Sequence, residues 1–190
     1  MKRIYLAGPD VFLPNATEFA AEKKKLCAVY GFEGLVPADK KLDLSKLPTK
    51  YAKGVAIYRA DVDLMRQADF GIFHLTPFDG PSADVGTVFE LGWMTAIGKA
   101  CLAYTNSKHD MIDRMKALGH TITRDAQGWP INENGMRQED FEMADNLMID
   151  GALEGHDFPM VRHDAPPDRL YTDLTGFETC LKLARERLGN

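Results

Sequence analysis

Glu90 is the residue in this chain whose type and setting most plainly call for chemistry. It lies in Thr76-Pro77-Phe78-Asp79-Gly80-Pro81-Ser82-Ala83-Asp84-Val85-Gly86-Thr87-Val88-Phe89-Glu90-Leu91-Gly92-Trp93. A turn-rich loop ends at Asp84, a residue type that caps helices, and an apolar helix begins there with Glu90 about a turn and a half in. A lone helical glutamate is ordinarily a solvated surface residue. Here Val85, Val88, Phe89, Leu91, Trp93, Met94, Ala96 and Ile97 leave almost no polar face, so the helix is expected to be buried all round. An anion among such neighbours is costly unless something uses it, which suggests a nucleophile or a base. Gly86 lies one turn before Glu90 on the same face, and its missing side chain leaves room for a ligand to approach. Gly92 and Ala96, also a turn apart, are expected to mark close helix packing.

Three further acids accompany Glu90. Asp61 lies in Tyr58-Arg59-Ala60-Asp61-Val62-Asp63-Leu64-Met65, where Val62 and Met65 point one way. Taken alone, it reads as a surface carboxylate paired with Lys or Arg. Asp84 is accounted for by its capping position, and Asp69, at the start of a strand, reads as structural. Other chemistries lack their signatures. No GxxxxGK[ST] phosphate loop and no GxGxxG dinucleotide fingerprint are present. The five histidines show no HExxH or other metal spacing, and there is no GxSxG elbow. The chain offers carboxylates in place of a metal, a serine nucleophile or a cofactor.

The elements that must position these acids alternate. Arg3–Ala7 reads as a buried first strand ended by Gly8-Pro9-Asp10. A helix capped by Asn15 or Thr17 runs to about Tyr30, with Phe19, Leu26 and Val29 among its apolar positions. Strands follow at 32–36, 69–75 and 99–104, with a polar loop at 38–50, a helix at 51–67 and the Glu90 helix between them. Asn106 is expected to open a helix to about Leu118. Residues 119–140 read as an excursion, 141–153 as a helix, 158–161 as a short last strand and 171–188 as a closing amphipathic helix. Such alternation implies a parallel sheet with helices on both faces. In such sheets ligands bind beyond the carboxyl ends of the strands, where the loops at 8–14, 37–50 and 76–84 fall together with Glu90.

Composition bounds the rest. The 190 residues carry a net charge of −5 and suit one domain spanning 1–190 with a substantial core. The mild charge argues against a nucleic-acid partner, and the Lys23-Lys24-Lys25 run is read as a solvated helix face. Cys27, Cys101 and Cys180 are sparse and far apart, which suggests reduced thiols in a cytoplasmic protein. No signal peptide and no membrane-spanning run are recognised.

One combination of motifs is specific. Tyr5-Leu6-Ala7-Gly8-Pro9, Ala60-Asp61 eight residues before Ala68-Asp69, Thr76-Pro77-Phe78 with Gly80-Pro81-Ser82-Ala83-Asp84-Val85-Gly86-Thr87, Phe89-Glu90-Leu91-Gly92 and finally Asp145-Asn146-Leu147-Met148 together resemble the nucleoside 2-deoxyribosyltransferase family, from residue 4 to about residue 150. The resemblance implies a flavodoxin-like, doubly wound parallel sheet of about five strands. It also implies cofactor-free and metal-free exchange of the base on 2′-deoxynucleosides, in oligomers that share active-site residues. In its terms Glu90 is the nucleophile, Asp61 the acid that protonates the departing base, and Tyr5 the hydrogen-bond donor that holds Glu90. Asp84 receives the sugar 5′-hydroxyl, and Asn146 reaches the same region from a neighbouring subunit. Gly8 and Gly86 fall in the substrate-binding loops. Phe12 and Trp93 are expected either to line the pocket or to be plain core.

Carboxylates suit that chemistry on general grounds. Glycosidic cleavage passes through an oxocarbenium-like state, which one carboxylate can trap while an acid protonates the leaving group. Two alternatives stay open. A hydrolase of deoxynucleoside 5′-monophosphates in the same superfamily shares the Glu-Leu-Gly helix but has Ser where this chain has Asp84, and an anion there would repel a phosphate. A non-catalytic nucleotide-binding module is also built on this fold, although a chain carrying Tyr5, Asp61, Asp84 and Glu90 together argues against it.

Overall fold

The computed structural model describes residues 1–39 and 42–189. Two positions of the expected 38–50 loop, 40 and 41, lie outside the described residues. Strand β1 (Lys2–Ala7) leads through a short 3-10 turn, Pro9–Phe12, to α1 (Ala16–Val29), and then come β2 (Phe32–Leu35), α2 (Lys50–Gln67) and β3 (Phe70–His74). Helix α3 (Val85–Ala96) carries Glu90, and β4 (Cys101–Thr105) and α4 (Met111–Ala117) follow. The excursion holds a small antiparallel hairpin, β5 (Thr123–Arg124) with β6 (Pro130–Ile131). Helix α5 (Leu147–Glu154), β7 (Val161–Arg162) and α6 (Thr175–Leu188) complete the chain.

The main sheet has strand order β2-β1-β3-β4-β7, and every pairing in it is parallel. This is the flavodoxin-like doubly wound order, whose switch point lies between β1 and β3. Alternation along β1 sorts its side chains. Tyr5 and Ala7 enter the core under α2, α3 and α5 with Met65, Leu91, Met94 and Leu153. Ile4 and Leu6 enter the core under α1 and α6 with Cys27, Phe177, Cys180 and Leu181.

Several sequence expectations are corrected. Helix α3 is not buried all round: Val85 is 84 % exposed and Phe89 53 %, while Leu91 and Met94 are buried. Gly92 and Ala96 also lie on the open side, and a Cβ at Gly92 would meet nothing within 4 Å, so neither marks packing within the chain. Periodicity cannot tell an interior face from one that awaits a partner. On α1 the buried stripe is Phe19, Lys23 and Cys27, spaced by four, and Val29 faces outward. Asn106 does not open a helix. Its amide donates to the Leu170 and Asp173 carbonyls, and α4 starts after Asp110. The 141–153 helix begins only at Leu147, after Asn146. The last strand is shifted to Val161–Arg162, and the closing helix starts at Thr175.

Candidate active site

Tyr5 and Glu90 meet at the switch point. Tyr5 is completely buried on β1, and its hydroxyl donates to Glu90 Oε1 at 2.7 Å. Burial pushes the Glu90 carboxyl up to about 7. The Tyr5 hydrogen bond opposes that rise, and the nearby charges of Asp61 and Asp84 reinforce it. Tyr5 is driven far above the usual phenol range, by burial first and then by the Glu90 charge, so it remains a donor. Tyr5, Glu90, Asp61 and Asp84 are therefore assembled in one electrostatic neighbourhood from β1, α2, the loop after β3 and α3.

Asp84 caps α3. Its Oδ2 accepts from the Thr87 amide at 2.8 Å and the Thr87 hydroxyl at 2.9 Å, which satisfies an amide that the helix start leaves orphaned. A Cβ at Gly86 would stand 3.1 Å from that same Oδ2, so glycine keeps the approach to the carboxylate open. Asp61 lies on α2 between Ala60 and Val62, both buried. It forms one wall of a cavity of about 360 Å³ beyond the carboxyl ends of β1 and β2, otherwise lined mainly by Leu6, Val11, Ala20, Val36 and Ile57. That size and apolar character suit a flat heterocycle.

Beside the cavity lies a buried polar cluster only partly legible in the sequence. Asp10, at the cavity edge, is gripped by Lys23 Nζ at 3.0 Å and lies 3.1 Å from His74 Nδ1. The Lys23 side chain is 2 % exposed, which corrects its reading as a solvated residue. The four-residue spacing of Phe19, Lys23 and Cys27 was the available signal. Burial would push the Asp10 carboxyl up, but Lys23 and His74 outweigh it and hold the group well below the usual range. His74 is held low by burial, against the pull of Asp10. It lies flat on Tyr104 with ring centroids 4.4 Å apart. Gly8 is required here, because a Cβ would fall 2.4 Å from His74 Cβ.

Neither Phe12 nor Trp93 lines that cavity, and of the two only Trp93 packs against the core. Phe12 is 62 % exposed and stacks on Phe78 at 5.2 Å, while Trp93 is half-buried with the Arg66 guanidinium over its ring. Asp69 accepts from the Arg3 amide and so ties the turn between α2 and β3 to β1. Asn146 caps α5. Its Oδ1 accepts from the Met148 amide at 3.0 Å, and its Nδ2 donates to Glu139 Oε1 at 2.8 Å. The preceding Asp145 turns inward to the loop before Asp84.

A five-stranded parallel sheet in flavodoxin-like order, with a tyrosine-held carboxylate at its switch point, makes this an α/β protein of the doubly wound class. The profile of the nucleoside 2-deoxyribosyltransferase family matches residues 4–148, and the chain belongs to that family. A 2-desoxiribosyltransferase from Leishmania mexicana is similar in structure, with a TM-score of 0.67, 26 % identity and coverage of 98 % of this chain and 99 % of that one. A conserved protein from Enterococcus faecalis V583 shares the fold, with a TM-score of 0.51, 20 % identity and coverage of 96 % and 98 %. An uncharacterized protein of Schizosaccharomyces pombe is 30 % identical over 160 residues, 79 % of this chain and 76 % of that protein.

Proposed function

We propose that this protein transfers a 2-deoxyribosyl group between nucleobases by a retaining double displacement through a covalent deoxyribosyl–Glu90 intermediate. The observation that carries the reading is the Tyr5–Glu90 hydrogen bond at 2.7 Å in a partly buried site flanked by Asp61 and Asp84. In the first half, the Glu90 carboxylate bonds to C1′ as the glycosidic C–N bond breaks, and Asp61 gives its proton to the departing base. In the second half, Asp61 takes a proton from the incoming base, whose nitrogen attacks C1′ and releases Glu90. Two inversions leave the β configuration unchanged. A carboxyl raised to about 7 is ionised in a substantial fraction near neutrality and is a better nucleophile than an ordinary carboxylate.

Asp84 accepts the sugar 5′-hydroxyl in this reading, and charge-assisted bonds of that kind are strong. A 5′-phosphate would instead bring two anions together, which disfavours the monophosphate hydrolase. The working form is an oligomer of this chain. Val85, Phe89, Gly92 and Ala96 form one outward stripe on α3, beside exposed Tyr58 of α2, whose ring lies 6.2 Å from that of Phe89. An apolar stripe of this kind suits an association surface, and the reading assigns Asn146 of a second copy to its neighbour's sugar site. The test is an assay with deoxyinosine and free adenine. Deoxyadenosine as product supports transfer, whereas free base and deoxyribose alone would replace this reading with hydrolysis. Trapping with a 2-fluoro-deoxynucleoside should place the sugar on a peptide containing Glu90.

A further inference from the structure

A second buried ion pair lies away from the cavity, between the loop that ends at Asp84 and the turn that ends at Asn146. Asp145 is 2 % exposed. Its Oδ1 accepts from the Ser82 hydroxyl at 2.5 Å and its Oδ2 from the Ala83 amide at 3.0 Å. Oδ1 also accepts from the Asn146 amide at 2.9 Å. Arg114, 8 % exposed on α4, stands behind it, with Nη2 at 3.4 Å from Asp145 Oδ2. The same guanidinium donates to the carbonyls of Pro81, His109 and Ala144. One cation and one anion thus fasten residues 81–83 directly to residues 144–146.

We propose that Arg114 and Asp145 are positioning residues for the hydroxyl-recognition edge, acting through Asp84 and not on the reacting atoms. The inference rests on the reading of Asp84 as the acceptor of the sugar 5′-hydroxyl. Ala83 and Asp84 are consecutive, so the amide held by Asp145 sets where the Asp84 backbone leaves the loop and enters α3. A carboxylate suits the task because it accepts two loop donors at once in fixed directions, and the buried guanidinium compensates its charge while occupying carbonyls that would otherwise lack donors. Proximity effects make rates steeply sensitive to sub-ångström placement of a binding group. A loose Asp84 therefore costs first the contact it makes, while the Tyr5–Glu90 hydrogen bond, which involves neither Ser82 nor Ala83, stays in place.

Removing Asp145 or Arg114 outright would strand a buried charge, so the primary variant is Ser82→Ala, which deletes one of the loop's bonds to Asp145 and leaves the ion pair whole. Wild type and variant are compared on 2′-deoxyadenosine and on 2′,5′-dideoxyadenosine, which lacks the 5′-hydroxyl, with adenine exchange as the readout. The expected result is a KM for deoxyadenosine raised about three- to tenfold with kcat changed less than twofold, and no change on the dideoxy substrate. Asp145→Asn, which leaves the buried Arg114 charge without its partner, should show the same pattern more strongly, together with a loss of stability in urea unfolding. Equal losses on both substrates would reduce the pair to a structural role and overturn the proposal, as would unchanged kinetics on both. If wild type does not distinguish the two substrates, the Asp84 assignment itself fails, a separate outcome from failure of the positioning role.

Discussion

Replacing Glu90 with glutamine should make the protein inactive and, at alkaline pH, more stable. Glu90 is raised from its ordinary 4.5 to about 7 mainly by burial, so the folded chain resists ionising it. Below the unfolded value of 4.5 the carboxyl is protonated in both states and makes no pH-dependent difference. As pH rises through about 7, the folded protein must ionise a group that the unfolded chain ionises easily, and stability is lost. At about 1.4 kcal/mol per pKa unit, the rise from 4.5 to about 7 corresponds to a penalty of about 3.5 kcal/mol by pH 9, reduced by solvent screening because Glu90 is only partly buried. Glu90→Gln keeps the shape and an oxygen to accept from Tyr5, and it removes the penalty. Urea unfolding of wild type and variant at pH 4 and pH 9 isolates the effect, because every other group titrates in both proteins. The stability difference should grow by roughly 2–3 kcal/mol in favour of the variant, or about 4–12 °C in Tm for a chain of this size. Transfer should fall by orders of magnitude. A difference that stays flat from pH 4 to pH 9, or a variant with near-normal turnover, would refute the reasoning.

Tyr5→Phe removes a hydrogen bond to a charged group worth about 1.5–3 kcal/mol, so transfer should drop roughly 10- to 100-fold. Because that bond holds the Glu90 carboxyl down, the acidic limb of the pH–rate profile should move upward, and an unmoved limb would count against the contact. Phe89→Glu places a charge in the exposed stripe of α3, and sedimentation should show dissociation with loss of activity; an assembled, active variant, or an active wild-type monomer, would sink the shared-site reading. Lys23→Met strands the buried Asp10 charge and should cost about 3–5 kcal/mol in urea unfolding, with part recovered by adding Asp10→Asn, whereas a loss below 1 kcal/mol would contradict the pairing.

Much of the fold was legible because its signals are local. Arg3–Ala7 and Asp69–Leu75 are apolar runs bounded by turn residues, and each falls within a residue of the observed strand. Asp84 announces α3 through capping chemistry that the structure repeats atom for atom. Bringing Tyr5 to Glu90 was legible only through the motif resemblance, since no periodicity relates positions 85 apart. Lys23 was misread because a lysine on a helix is nearly always solvated, and its partner Asp10 lies in a turn that looked sufficient in itself. The outward face of α3 was misread for a related reason: hydrophobicity records that a surface is to be covered but not by which chain. Asp145 as the fastening behind Asn146 depends on tertiary contacts with residues 82 and 83 that no local pattern encodes.

The placement of β1 has a consequence for exchange of backbone hydrogens with solvent. Here β1 is bonded to β2 along one edge and β3 along the other, and Ile4, Tyr5, Leu6 and Ala7 are all buried. Their amides can meet deuterium only when the central sheet comes apart, so they should be among the slowest in the molecule and report the global unfolding free energy. The same strand carries the phenol that holds Glu90. Exchange at the Tyr5 amide thus reports the integrity of the sheet on which the Tyr5–Glu90 contact is built.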